Sequence, residues 1–107
     1  MTLHDSVRIP DEVATRKVGE ETILLDLNTG IYFGLDAVGS RFVELLENNG
    51  EIAAAHRVML QEFEVTAEVL ETDLLRLAGE MCAKRLLVVE TNSEQATARS
   101  AEQPPRQ

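Results

Sequence analysis

The sequence predicts an α+β domain in which a three-stranded antiparallel sheet is followed by three helices. Three observations carry this. Apolar residues in the first third alternate with a period of two between turn residues; from Asp36 the apolar spacing changes to the i, i+4, i+7 pattern of helices. A chain of 107 residues also suffices for one domain with one modest core and little else.

The strands come first. "VATRKV" (13–18) and "ETILLDL" (21–27) flank the turn residues Gly19 and Glu20, and "GIYFGLD" (30–36) follows Asn28 and Thr29. The simplest arrangement of three β-rich runs with short turns is a meander. By the two-residue period Ile23, Leu25 and Leu27 share one face, as do Ile31, Phe33 and Leu35, and that face is expected to meet the core. Thr22, Leu24, Asp26 and Tyr32 fall on the other.

In the first helix, 36–48, Val38, Phe42, Leu45 and Leu46 form the apolar stripe, with Asp36 placed to cap it and "NNG" to end it. The second, about 51–63, carries Ile52, Ala55, Met59 and Phe63 on one side, with Glu51 well placed at its positive end. The third starts at the cap Thr66, runs towards Lys84 and buries Leu70, Leu74, Leu77 and Met81. Leu75, Ala78 and Cys82 lie beside that stripe, which makes the apolar arc wider than one seam requires: either two neighbours pack on this helix or it walls a groove. "RLLVVE" (85–90) is a short closing strand or extended segment. The organisation is then an irregular N-terminus (1–12), a folded domain (13–90) and a polar tail (91–107) with too little apolar surface to fold.

Nineteen acidic residues against ten basic ones give a formal charge of −9, a field that repels nucleic acid phosphates and anionic lipid. One cysteine excludes an internal disulfide, and "MTLHDSVRIP" lacks the apolar core of a secretory signal, so the expected compartment is the cytoplasm. No stretch reaches the roughly 18–20 apolar residues of a membrane span.

Catalytic chemistry finds no constellation. His4 and His56 have no Cys, Asp or Glu at zinc-ligand spacing. Cys82 sits near a helix C-terminus, where the dipole opposes a thiolate, and reads as a structural cysteine. The carboxylates fall mostly on polar faces. The chain is expected to need no metal or cofactor and to catalyse nothing.

The edges of the meander are more informative. An outer strand has unpaired N–H and C=O groups that must be covered, charged or used. Thr15, Arg16 and Lys17 protect the first strand, whereas the last, "GIYFGL", is apolar and uncharged, with Gly34 removing a side chain from its middle. An open apolar edge beside a wide-faced helix is what addition of a partner's peptide strand requires.

"LLDLNTGIYFGLDAVGSRFVELL", followed by "GEIAAAHRVMLQEFEVTAEVLETDLLRLAGEMCAKRLLV", resembles the PqqD-like proteins, the precursor-peptide recognition elements of ribosomally made, modified peptides. It is most similar to the stand-alone members of lasso-peptide pathways, with "YFGLDAVGSRF" the most specific piece and Phe42 standing where relatives often carry Trp. The resemblance implies a winged-helix-like domain without catalytic residues that binds the leader of a precursor peptide between its third strand and third helix. It then hands the leader to a leader protease or other modifying enzyme. Carried over to this chain, Ile31, Tyr32, Phe33, Gly34 and Leu35 offer the backbone edge, and Leu75, Ala78 and Cys82, with Asp73 or Arg76 nearby, are the expected helix wall. The same edge can accept a second copy, so the chain is a monomer or a strand-exchanged dimer.

A winged-helix DNA-binding regulator is the alternative, and charge opposes it. Across 66–84 stand Glu68, Glu71, Asp73 and Glu80 against Arg76 and Lys84, where a recognition helix needs cations facing phosphates. A leader-peptide protease would need a nucleophile and base that the sequence does not supply.

Overall fold

The computed structural model describes residues 1–90; the tail expected to be disordered, 91–107, lies outside the described residues. The elements run β1 (Ser6–Arg8), β2 (Val13–Val18), β3 (Glu21–Asp26), β4 (Tyr32–Leu35), α1 (Ala37–Asn48), α2 (Ile52–Glu62), α3 (Ala67–Ala83) and β5 (Val88–Glu90). The expected three-stranded meander is β2-β3-β4, antiparallel throughout, and the three expected helices follow it.

The N-terminus is not irregular throughout. β1 pairs antiparallel with β5, Val7 opposite Val89, in a second sheet of two strands, and Ser6 also bridges Glu51. Val7 is buried and its N–H donates to the Gly50 carbonyl at 2.8 Å. Gly50 is required there, because a Cβ would collide with the Val7 carbonyl oxygen. A three-residue strand whose partner lies some eighty positions away leaves no local periodicity to read.

The face assignment of β3 is reversed. Thr22, Leu24 and Asp26 are buried, whereas Ile23 is 38% and Leu27 63% exposed. Pairing explains this: Leu24 lies opposite Phe33 and Thr22 opposite Leu35, so the inward residues of β4 fix the even-numbered residues of β3 as inward too. Burying Asp26 is tolerable because its Oδ1 accepts the N–H groups of Asn28 at 2.9 Å and Thr29 at 3.3 Å, in the turn that leads to Gly30 (φ 78°). The two-residue period was right; the choice between its phases was not, because a turn aspartate looks like a solvent-facing one.

The helices follow their sequence signals. The Asp36 carboxylate accepts the Gly39 N–H at 2.9 Å and the Thr66 hydroxyl accepts the Val69 N–H at 3.2 Å. Phe42, Ile52, Met59, Leu74, Met81 and Leu24 are fully buried and form the centre of one core. The imidazole of His56 is buried, and its Nε2 lies 2.9 Å from the Ala67 carbonyl oxygen, joining α2 to the start of α3. α3 ends with Arg85 in the left-handed region (φ 63°), its N–H bonded to Cys82 and that of Leu86 to Met81, so that Leu86 turns back into the core. Arg41 clamps α1 to α2: its guanidinium donates to both oxygens of Glu62, at 2.8 and 2.7 Å, and to Glu44 at 2.9 Å.

Two stability outcomes follow. Gly50→Ala forces β1 away from the α1–α2 junction and should lower stability by about 1–3 kcal/mol in denaturant unfolding. The hydrogen bonds from Arg41 hold the Glu62 carboxyl below its ordinary range. A lowered folded-state value means that this clamp contributes fully above the ordinary Glu range and is lost as pH falls through the lowered value. Glu62→Gln should therefore melt below the parent at neutral pH, with the gap closing in acid.

Candidate functional site

The register of β3 and β4 decides which groups the open edge presents. The Asp26 N–H donates to the Ile31 carbonyl at 2.8 Å, which makes residues 26 and 31 a bonded pair. Bonded pairs alternate along an antiparallel ladder, so Leu24 with Phe33 and Thr22 with Leu35 bond across it as well. On the other side of β3 the Leu27 N–H reaches the Glu12 carbonyl at 2.9 Å, the alternate phase, as it must be. The N–H and C=O groups of Tyr32 and Gly34 are therefore the ones that point away from the sheet. Among the described residues β4 is an end strand whose ladder partner is β3. Its neighbours are apolar: Tyr32 is 72% and Ile31 52% exposed, Phe33 is half-buried and Leu35 buried. A Cβ on Gly34 would meet nothing within 4 Å, so no packing inside the described chain demands that glycine.

α3 forms the second wall. The Lys84 ammonium lies 6.0 Å from the centroid of the Phe33 ring, and Leu77 packs against Gly39, where an added Cβ would stand 3.3 Å from Leu77 and 3.0 Å from Leu35. Gly39 thus lets the start of α1 approach α3 closely. At this end of β4 an open depression of about 240 Å³ is lined by Asp36, Val38, Asp73, Arg76, Leu77 and Glu80. Arg76 pairs with Asp73 at 3.3 Å.

Of the helix residues expected at the site, Asp73 and Arg76 line the depression that α3 forms with the start of α1, next to the end of β4. Ala78 is fully buried in the core. Leu75 and Cys82 lie roughly 140–160° round the helix from Leu77. Cys82 faces the N-terminal segment instead, in a depression of about 560 Å³ shared with Pro10, Glu12, Arg85 and Leu87. Burial raises the pKa of the Cys82 thiol, against a nucleophilic role. Leu77, Glu80 and Lys84, which were not expected there, stand on the same side of α3 as Asp73. With Asp73 they recur at i, i+4, i+7 and i+11, one straight stripe, and that spacing was available in the sequence. Among the described residues no three His, Cys, Asp or Glu side chains gather as metal ligands, and no helix is long and apolar enough to cross a membrane.

The site is thus a groove with a hydrogen-bonding edge on one side and a mixed apolar and charged helix flank on the other. Residues 21–87, which hold both walls, match the family model for coenzyme PQQ synthesis protein D (PqqD). The chain belongs to the PqqD family. Among solved structures, that of TbiB1 in complex with the TbiA(β) leader peptide is 35% identical, with a TM-score of 0.74, covering 79% of this chain and 99% of that one. A lasso peptide synthetase B1 complexed with its leader peptide shares the fold at 20% identity, TM-score 0.71, over 78% and 98% of the two chains. No curated protein matches. This PqqD-family chain thus carries the open edge and helix flank as surface features of a fold seen elsewhere with peptides bound.

The register makes a discriminating expectation. The Tyr32 N–H has no partner in the ladder, so Tyr32→Pro should keep the fold within about 1 kcal/mol, whereas Leu35→Pro deletes a buried ladder bond and should cost about 3 kcal/mol or more. Chemical denaturation of the two variants checks it.

Proposed function

We propose that the chain binds the leader segment of a ribosomally made precursor peptide by β-strand addition to β4, and presents it to a leader protease or other modifying enzyme of a lasso-peptide pathway. The observation that carries this is the outward-pointing N–H and C=O groups of Tyr32 and Gly34 on an apolar strand beside α3. Backbone pairing supplies affinity in this mode, and alternate side chains supply specificity. The leader residue opposite Phe33 enters the cleft towards Leu77 and Lys84, and the residues opposite Tyr32 and Gly34 stay on the outer side of the sheet. Asp73, Arg76, Leu77, Glu80 and Lys84 form the helix wall.

The role is non-catalytic and cytoplasmic, and it requires no cofactor. The relatives solved with leader peptides support this reading. DNA binding gains nothing from the structure: α3 and the Lys84 that caps it carry Glu68, Glu71, Asp73 and Glu80 against Arg76 and Lys84, in a chain of net charge −9. A second copy would compete for the same edge as the leader, so leader binding is expected to favour the monomer.

The test is selection of random 12-residue peptides displayed on phage against the immobilised protein. Extended peptides with apolar residues at alternate positions should be enriched, and the best of them should bind Tyr32→Pro at least tenfold more weakly while circular dichroism shows that variant folded. Raised salt should weaken a basic peptide without abolishing its binding, since apolar and backbone contributions persist. Selected peptides indifferent to a folded Tyr32→Pro would move the site off β4.

A further inference from the structure

The side chains on the outer face of the β2-β3-β4 sheet take no part in the core, and only the backbone of Tyr32 and Gly34 among them borders the groove. It presents Ala14, Arg16 and Val18 from β2, Glu21, Ile23 and Leu25 from β3, and Tyr32 and Gly34 from β4, every one exposed except the half-buried Leu25. At its hairpin end stands Leu27, 63% exposed, whereas Ile31, opposite the buried Asp26, belongs to the inner side. Large apolar side chains gathered on one open face mark an interaction surface, whereas the same residues scattered singly would mark nothing. These are also the residues whose periodicity resembles that of a core strand, yet α1 packs on the opposite side.

Charge narrows the occupant. The face holds one cation and one anion, Arg16 and Glu21, in a chain whose net charge is −9. Glu20 stands beside it at the β2–β3 turn and Glu12 at the other end. A second copy would bring the same carboxylate rim and another nine negative charges, so like charges oppose self-association here. A different protein with an apolar centre and a rim of Lys and Arg is complementary.

Position narrows it further. A peptide strand added to β4 becomes the fourth strand of this sheet, and its residues opposite Tyr32 and Gly34 project onto this same outer face. We infer that the outer sheet face, centred on Val18, Ile23 and Leu25, is the docking surface for the enzyme that acts on the leader-bound precursor, and that the bound leader forms part of what that enzyme contacts. The inference rests on the leader-binding reading. Coupling is its consequence: an enzyme that touches both the sheet and the leader binds the loaded protein more tightly than the free one, and by linkage it tightens the leader's own hold.

The experiment places the photo-crosslinking residue benzoylphenylalanine at Ile23, and as a control at Val69 on α3, which is more open at 52% against 38%, in the organism that encodes the chain. Adducts are identified by mass spectrometry. An adduct at Ile23, absent at Val69, with an enzyme that cleaves or modifies the precursor supports the inference. An adduct with a second copy, or none with such an enzyme, overturns it. In parallel, Ile23→Asp, which places a carboxylate opposite Arg16 and so keeps a cross-strand partner, and Val18→Asp replace the wild-type chain. Peptide product should fall at least tenfold, while the phage-selected peptide binds both variants within twofold of the parent and Val69→Asp is without effect. Normal product from folded variants would sink the docking surface and leave leader binding intact. Loss of the selected peptide from the Ile23 and Val18 variants would instead mean that this face belongs to the leader site.

Discussion

The hydrogen-bond phase of the β3–β4 pair governs the rest of the molecule's surface. One bond, from the Asp26 N–H to the Ile31 carbonyl, fixes which residues of β4 spend their backbone groups on β3 and which keep them free. Shift that phase by one residue and Phe33 and Leu35 leave the core, Tyr32 and Gly34 enter it, and the open edge offers different atoms. The buried Asp26 carboxylate holds the phase in place, because the turn amides it accepts exist only when the chain reverses at Asn28 and Thr29. A polar residue in the core thus specifies the register from which both the groove and the outer sheet face derive.

α3 serves the fold and the groove with different stripes of one helix. Leu70, Leu74, Ala78 and Met81 hold the core, and the adjacent row from Asp73 through Leu77 to Lys84 looks across at β4. The division lets the side chains that face β4 vary without opening the core. Gly39 belongs to the same arrangement, since a Cβ there would crowd the Leu35 and Leu77 side chains where α1 begins.

The sequence carried the helices, their caps and the order of the elements, since each rests on local chemistry: a Ser, Thr or Asp type of cap, an apolar spacing of three and four, a glycine or asparagine after it. It carried the apolar, uncharged edge for the same reason. It did not carry the inward face of β3, because ETILLDL offers apolar residues on both faces and only pairing with β4 chooses between them. Nor did it carry β1, whose partner is distant, or which flank of α3 lies towards β4, since Leu75 and Cys82 look as apolar as Leu77. Each miss concerns information held between elements and not within one.

The pairing of Ser6 with Glu90 has a consequence for molecular architecture. It brings the first strand and the last described strand of the fold side by side, about 5 Å apart. A fold whose two ends leave together can be spliced into a surface loop of another protein, or joined to either end of one, with little strain on itself or its host. This structure is therefore portable: the same groove can be carried as a separate chain or built into a larger protein without altering either of its walls.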